Sequence, residues 1–264
     1  HVRDVDAAGI SRVNLIDATP IGVNVRSTVA TYSGVLDELR RAFARTEEAQ
    51  AAGLKPGAFS YNTGSLRCPT CDGTGQITLD VQFLPDVDIE CTDCRGSRYG
   101  AQASQIRRDG LSLPDIMAMS VDEARVAVRG LKKAGALLET LSGLGLGYLT
   151  LGESTPALSG GEAQRLKLAS EMGRRQEGTL FIFDEPTIGL HPDDVQVLID
   201  VLQRLIDRGA TVLVIEHDLD LIRCADWVID MGPGGGIEGG RIVAEGTPGD
   251  IAASEASVTG RYLR

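Results

Sequence analysis

Between Ser159 and His217 three segments follow one another in an order that leaves few folds open. Leu158-Ser159-Gly160-Gly161-Glu162 opens a helix that runs through Gln164, Arg165 and Leu168 to about Met172. Ser159 and Glu162 have the spacing of a reciprocal cap. The two glycines let a ligand approach free N–H groups at the positive end of the helix dipole, which suits an anion. On its own the segment reads equally well as a capped helix. Leu180-Phe181-Ile182-Phe183 is then an apolar run ending in Asp184-Glu185-Pro186. A strand buried on both faces delivers Asp184 at its C-terminal end, where a carboxylate can hold Mg²⁺. Glu185, one residue on, is placed to orient or deprotonate a water. Thr211 to Ile215 reads as a second buried strand, and the His217 that follows it would sit near a terminal phosphate. Helical spacing from Val195 to Ile206 separates the two strands, so the sheet is parallel and the class α/β.

The rest of the chain is arranged around these segments. Val13 to Asp17 reads as a buried strand, followed by a turn at Pro20 to Gly22. Val35, Leu36, Leu39, Ala42 and Phe43 recur at helical spacing in a run predicted to reach Ala52 and stop at Gly53. Ser120 and Glu123 form a capping box, and helical pattern continues to Leu141. Leu219 to Cys224 is a short helix on which Cys224 is expected to be a buried small apolar residue. Trp227 to Met231 and Arg241 to Ala244 read as a closing hairpin. Gly143-x-Gly145-x-Gly147 reads as a turn. The expected division is 1–31 and 176–264 as parts of an ATP-binding core, with 32–175 a helical domain inserted between them.

A phosphate loop needs Gly-Lys followed by Ser or Thr. The four lysines are Lys55, Lys132, Lys133 and Lys167; none follows a glycine and none precedes Ser or Thr. The nucleotide chemistry is therefore incomplete within these 264 residues, and the opening on His1 fits a piece of a longer chain. A net charge of −11 argues against a stand-alone DNA-binding surface, although not against a local patch. No run approaches the ~20 apolar residues of a membrane span, and nothing resembles a signal peptide, so a cytoplasmic location is expected.

Cys68-x-x-Cys71 and Cys91-x-x-Cys94, with 19 residues between the pairs, have the spacing of a tetrahedral zinc site. Each pair falls on a tight turn. Asp72-Gly73-Thr74-Gly75 lets backbone N–H groups turn toward the sulfurs, and Ile77 to Phe83 alternates like a strand. Two disulfides are the alternative. The module spans about 67–99.

Helix, Asp-Glu strand and terminal His in this order resemble an ABC-type ATPase cassette without its phosphate loop. With a four-cysteine module upstream of the signature helix, nearly the whole chain resembles the second cassette of the UvrA family, the damage-sensing ATPases of the bacterial excinuclease. The likeness runs through Asp17-Ala18-Thr19-Pro20-Ile21-Gly22, Ala30 to Gly34, Phe83 to Asp86, Leu158 to Glu171, Asp184 to His191, Val214 to Asp218, Ala225 to Asp230 and Glu245 to Pro248. It implies a dimeric protein with two cassettes per chain that binds Mg-ATP and duplex DNA, senses damage in nucleotide excision repair and works with a repair helicase. It implies that Ser159, Gly160, Gly161 and Gln164 face nucleotide held by a partner cassette. Asp184 would serve Mg²⁺, Glu185 the hydrolytic water and His217 the γ-phosphate. Cys68, Cys71, Cys91 and Cys94 would hold one zinc, and Gly189-Leu190-His191 would lie in a dimer-contacting loop.

The family usually has Gln where this chain has Ala18, and that Gln contacts the metal and attacking water. Arg67, Arg95, Arg98, Arg107 and Arg108 near the zinc module are offset by Asp72, Asp80, Asp86, Asp88, Glu90, Asp93 and Asp109, so DNA binding is implied by the resemblance rather than by charge. Three other readings stay open: a paralogue serving resistance to DNA-binding drugs, a nucleotide-gated binding module without repair activity, and a zinc-dependent chaperone-like module. The last rests on Cys-x-x-Cys-x-Gly-x-Gly at Cys68 to Gly75, shared with DnaJ-type chaperones. The 264 residues alone are expected to be inactive.

Overall fold

A computed structural model describes residues 9–22, 24–79, 87–172, 175–190, 192–232, 234 and 239–264. Asp80, the Phe83 to Asp86 stretch and His191 lie outside the described residues. The chain divides into two compact units, one of residues 18–174 and one of residues 1–17 with 175–264.

In chain order, β1 (Arg12–Ile16) comes first and belongs to the discontinuous unit. The continuous unit then holds α1 (Val29–Tyr32), α2 (Val35–Phe43) and α3 (Glu47–Ala51). The antiparallel ribbon β2 (Gln76–Leu79) and β3 (Val87–Glu90) follows. The pair β4 (Arg107–Arg108) and β5 (Leu111–Ser112) leads into α4 (Leu113–Met117), α5 (Val121–Ala127), α6 (Lys132–Leu141) and α7 (Gly160–Met172). Its core is apolar: Val35, Leu39, Phe43, Phe59, Leu138, Leu141 and Leu166 are fully buried.

Local signals set the helix ends. Ser120 Oγ accepts the Glu123 N–H while Glu123 accepts the Ser120 N–H, the reciprocal cap read from sequence. The run expected from Val35 to Ala52 is two helices, because Thr46 adopts an extended backbone and caps a new start by accepting the Ala49 N–H. The Gly143–Gly147 segment is a wide helical turn in which Gly145 alone has a left-handed backbone, φ 70°.

The discontinuous unit resumes with β6 (Thr179–Asp184), α8 (Pro192–Asp207), β7 (Thr211–Ile215) and α9 (Leu219–Arg223). It closes with the antiparallel β8 (Val228–Gly232) and β9 (Arg241–Gly246), then α10 (Pro248–Ala253) and α11 (Val258–Leu263). β6 lies between β1 and β7, parallel to both, with Val13 opposite Leu180 and Leu180 opposite Thr211.

The two faces of this sheet differ. Phe181 and Phe183 stack on one face and are buried. On the other, Val13, Leu15, Leu213 and Ile215 are 56%, 58%, 47% and 51% exposed. The expectations that Val13 to Asp17 and Thr211 to Ile215 form buried strands, and that Leu180 to Phe183 is buried on both faces, are thus corrected. β1 and β7 are the edges of the described sheet, β7 has no buried side chain, and Leu180 and Ile182 are only half-buried. Cys224 is also exposed rather than buried, because it is the residue that caps the C-terminus of α9.

Candidate nucleotide and metal sites

In the discontinuous unit, β6 carries Asp184 to its C-terminal end, where the residue is exposed. The chain then turns sharply: Glu185 has a left-handed φ of 46°, a conformation that costs a non-glycine residue about 1–3 kcal/mol unless its surroundings hold it. Hydrogen bonds to the end of β7 supply that hold. The Glu185 N–H donates to Ile215 O at 2.9 Å. Thr187 donates from its N–H at 2.8 Å and from Oγ1 at 2.5 Å to one carboxylate oxygen of Glu216. The other Glu216 oxygen accepts the N–H groups of His217 at 2.6 Å and Asp218 at 3.1 Å. Burial opposes the charge on Glu216, yet these donors hold its carboxyl below the usual range. The outcome is that His217 Nε2 and Glu185 Oε1 stand 3.5 Å apart, with both side chains reaching solvent. Glu216 and Thr187 carry no motif of their own; the visible signal is only that a glutamate precedes His217.

In the continuous unit, the Ser159 N–H donates to Glu162 Oε2 at 2.7 Å and the Glu162 N–H donates to Ser159 Oγ at 3.4 Å. Tyr148 also donates to Glu162. Although burial pushes the Glu162 carboxyl up, the Tyr148 and Ser159 donors outweigh it and hold the group ionised. Ser159 is exposed at the start of α7, Gly160 and Gly161 are half-buried, and Gln164 is buried one turn further on. A Cβ on Gly160 would lie 3.1 Å from the Cβ of Ala18 and 3.2 Å from its carbonyl oxygen, so the signature glycine and the residue in the Gln position touch.

The four cysteines of the same unit come together. Their sulfurs all lie within 4.8 Å of one another, with Cys68 to Cys91 at 3.9 Å and Cys71 to Cys94 at 3.6 Å. A disulfide would need ~2.05 Å. A tetrahedral metal with ~2.3 Å bonds to sulfur sets its ligands about 3.8 Å apart, so the cluster has the size of a four-thiolate metal site. The turns that present the sulfurs are fixed by backbone bonds. Gly75 N–H donates to Cys71 Sγ at 3.3 Å, Cys91 N–H to Gly75 O at 3.0 Å and Cys68 N–H to Arg98 O at 2.9 Å. Gly73 is required: it has φ 79°, and a Cβ there would lie 1.8 Å from the Tyr61 carbonyl oxygen.

Burial pushes the Cys94 thiol up to about 12 and raises Cys68 as well. For Cys71 the same burial is outweighed by the Gly75 N–H and the neighbouring thiols, and the group falls to about 7. A metal cation at this spacing would stabilise the thiolate form of the four cysteines.

Arg98 anchors the module from beneath. It is 6% exposed, donates to Val25 O and Thr74 O, and lies 5.3 Å over the Tyr61 ring. Arg67 pairs with Asp72, Arg108 with Asp109, and Arg107 approaches Asp115 at 3.9 Å. Most of the arginines near the module are thus committed to the fold.

No family model matches the chain. It is 49% identical over 255 residues to UvrABC system protein A of Synechocystis sp., covering 96% of the chain and 26% of that protein. It is 50% identical over 256 residues to UvrABC system protein A of Bacillus subtilis, covering 97% of the chain and 27% of that protein. Among solved structures, UvrA2 from Deinococcus radiodurans superposes with a TM-score of 0.88 at 44% identity, covering 98% of the chain and 32% of that structure. The chain spans about a quarter of the length of the curated relatives it matches.

Proposed function

The chain belongs to the UvrABC system protein A family, and we propose that it is the C-terminal part of that protein's second ATP-binding cassette, lacking the phosphate loop. The observation that carries this reading is the end of β6. There Asp184, Glu185 and the Glu185–His217 pair at 3.5 Å form a carboxylate–carboxylate–imidazole set suited to Mg²⁺, water and a terminal phosphate. In the proposed site Asp184 serves the metal of Mg-ATP, Glu185 accepts a proton from the attacking water, and His217 hydrogen-bonds the γ-phosphate. The bare sheet face at Val13, Leu15, Leu213 and Ile215 supports completion by another layer, because parallel sheets are stable when both faces are covered. The upstream half of the same chain is the proposed cover and the source of the phosphate loop.

In this reading residues 18–174 form the signature domain and the other unit part of the ATP-binding core. Ser159, Gly160, Gly161 and Gln164 serve nucleotide bound across a dimer. The four cysteines hold one structural zinc, since four cysteine sulfurs at this spacing are the donor set of structural zinc sites. Bound zinc supplies cross-linking of the two turns, and Arg98 and Gly73 fit those turns to the domain. The complete protein, in the cytoplasm, binds duplex DNA, senses damage and hands it to a repair helicase.

Full-length protein should bind damaged duplex more tightly than intact duplex, with an affinity that falls as salt rises through release of phosphate counterions. Fluorescence anisotropy at several salt concentrations checks this; equal affinity for both duplexes would remove the damage-sensing role. Ala18 favours a second reading, a paralogue that turns ATP over slowly. For that reading, Ala18→Gln should raise the ATPase rate of the same protein, and an unchanged rate would discard it.

A further inference from the structure

We infer that Glu216 is a positioning residue that binds the Glu185 turn and the His217 loop into one rigid unit. This rests on the ATPase reading above. Its carboxylate accepts four hydrogen bonds, two from Thr187 on the loop after β6 and two from the backbone of His217 and Asp218 on the loop after β7. The partners on the first loop are 29 positions away in sequence, so the staple spans two strand ends rather than one local turn. The Glu185 N–H bond to Ile215 O fixes backbone at these strand ends, not the two side chains. Glu185 sits in a left-handed conformation, and the His217 ring is 85% exposed.

The Glu216 carboxylate does not itself face the reacting atoms, because both its oxygens are committed to these donors. It acts by fixing the distance between Glu185 and His217, which meet at 3.5 Å. It also ties that pair to the Thr187–Leu190 turn, in which Leu190 N–H donates to Thr187 O at 3.0 Å. A change in that turn is therefore transmitted to Glu185 and His217 together. Glutamine cannot replace the carboxylate fully: its NH₂ would face either the Thr187 donors or the His217 and Asp218 N–H groups. Aspartate keeps the charge but shortens the reach between the loops.

The test uses full-length protein whose first cassette is silenced, with ATPase kinetics for each variant. Misplacing the pair should lower kcat for Glu216→Ala by about 10²-fold while KM for ATP stays within about twofold. Thr187→Val, which removes one donor and keeps the backbone bond, should lower kcat about fivefold. It carries the test if the Glu216 variants do not fold. In a Glu185→Gln background, Glu216→Ala should cost clearly less than in the parent, since only the part it exerts through His217 remains. A kcat unchanged by Glu216→Ala and Thr187→Val, or an equal loss in both backgrounds, would overturn the inference while leaving the ATPase reading in place. Should Glu185→Gln itself leave turnover intact, the proposed base role of Glu185 and this inference fall together.

Discussion

Metal analysis of the chain is expected to find about one zinc per molecule, and its removal should open residues 67–99 while the remainder of the signature domain stays folded. The expectation follows from how little else closes the module. β2 and β3 are four residues each and largely exposed, and the buried side chains beside them are Cys68, Cys71 and Cys91, with Ile77 and Cys94 half-buried against them. A two-stranded ribbon of this length has no independent stability. Four-thiolate zinc sites contribute on the order of 10 kcal/mol to small folds, far beyond what Arg98 and the Arg67–Asp72 pair supply. The helical part of the unit, with Leu39, Phe43, Leu138 and Leu166 in its core, does not depend on the metal. Cys91→Ser should reproduce the effect of a chelator: loss of the zinc and rapid proteolysis confined to 67–99. A metal-free protein with a Cys68–Cys91 or Cys71–Cys94 disulfide would contradict it.

Glu185→Gln should have the largest effect on chemistry. The substitution preserves size but removes the proposed base, and general-base loss is worth about 10²–10⁴-fold in rate. In full-length protein with the first cassette silenced, steady-state ATP turnover should fall by at least about 10²-fold. Nucleotide affinity should change little, because Asp184 and the proposed phosphate loop are unaltered. Such a variant would hold ATP rather than ADP after mixing, which quenched-flow product analysis can read directly. Turnover within a few-fold of the parent would assign the proton transfer elsewhere.

Local signals were the legible part of this chain. The Ser159–Glu162 cap, the Ser120–Glu123 box and the parallel strand at Leu180 to Phe183 follow from contacts within a few residues or from an apolar run of one kind. The cysteine quartet was legible because spacing alone limits what four thiols can do. Other features depend on pairings that spacing does not encode. The apolar run at Thr211 to Ile215 is what a two-face-buried strand looks like, yet in the described sheet it is an edge strand with one face open to solvent. Thr46 broke a helical period by offering a cap, a choice between two local options that apolar periodicity does not rank. The Glu216–Thr187 staple exists only because parallel pairing sets the ends of β6 and β7 side by side.

In the proposed site residues 1–264 supply Asp184, Glu185 and His217, and an upstream segment is the proposed source of the phosphate loop. Calorimetric titration of Mg-ATP into residues 1–264, and into the same residues joined to the upstream segment of the cassette, tests this division most directly. The expected result is no measurable heat of specific binding for the first and micromolar or tighter affinity for the second. Micromolar binding by residues 1–264 alone would contradict it.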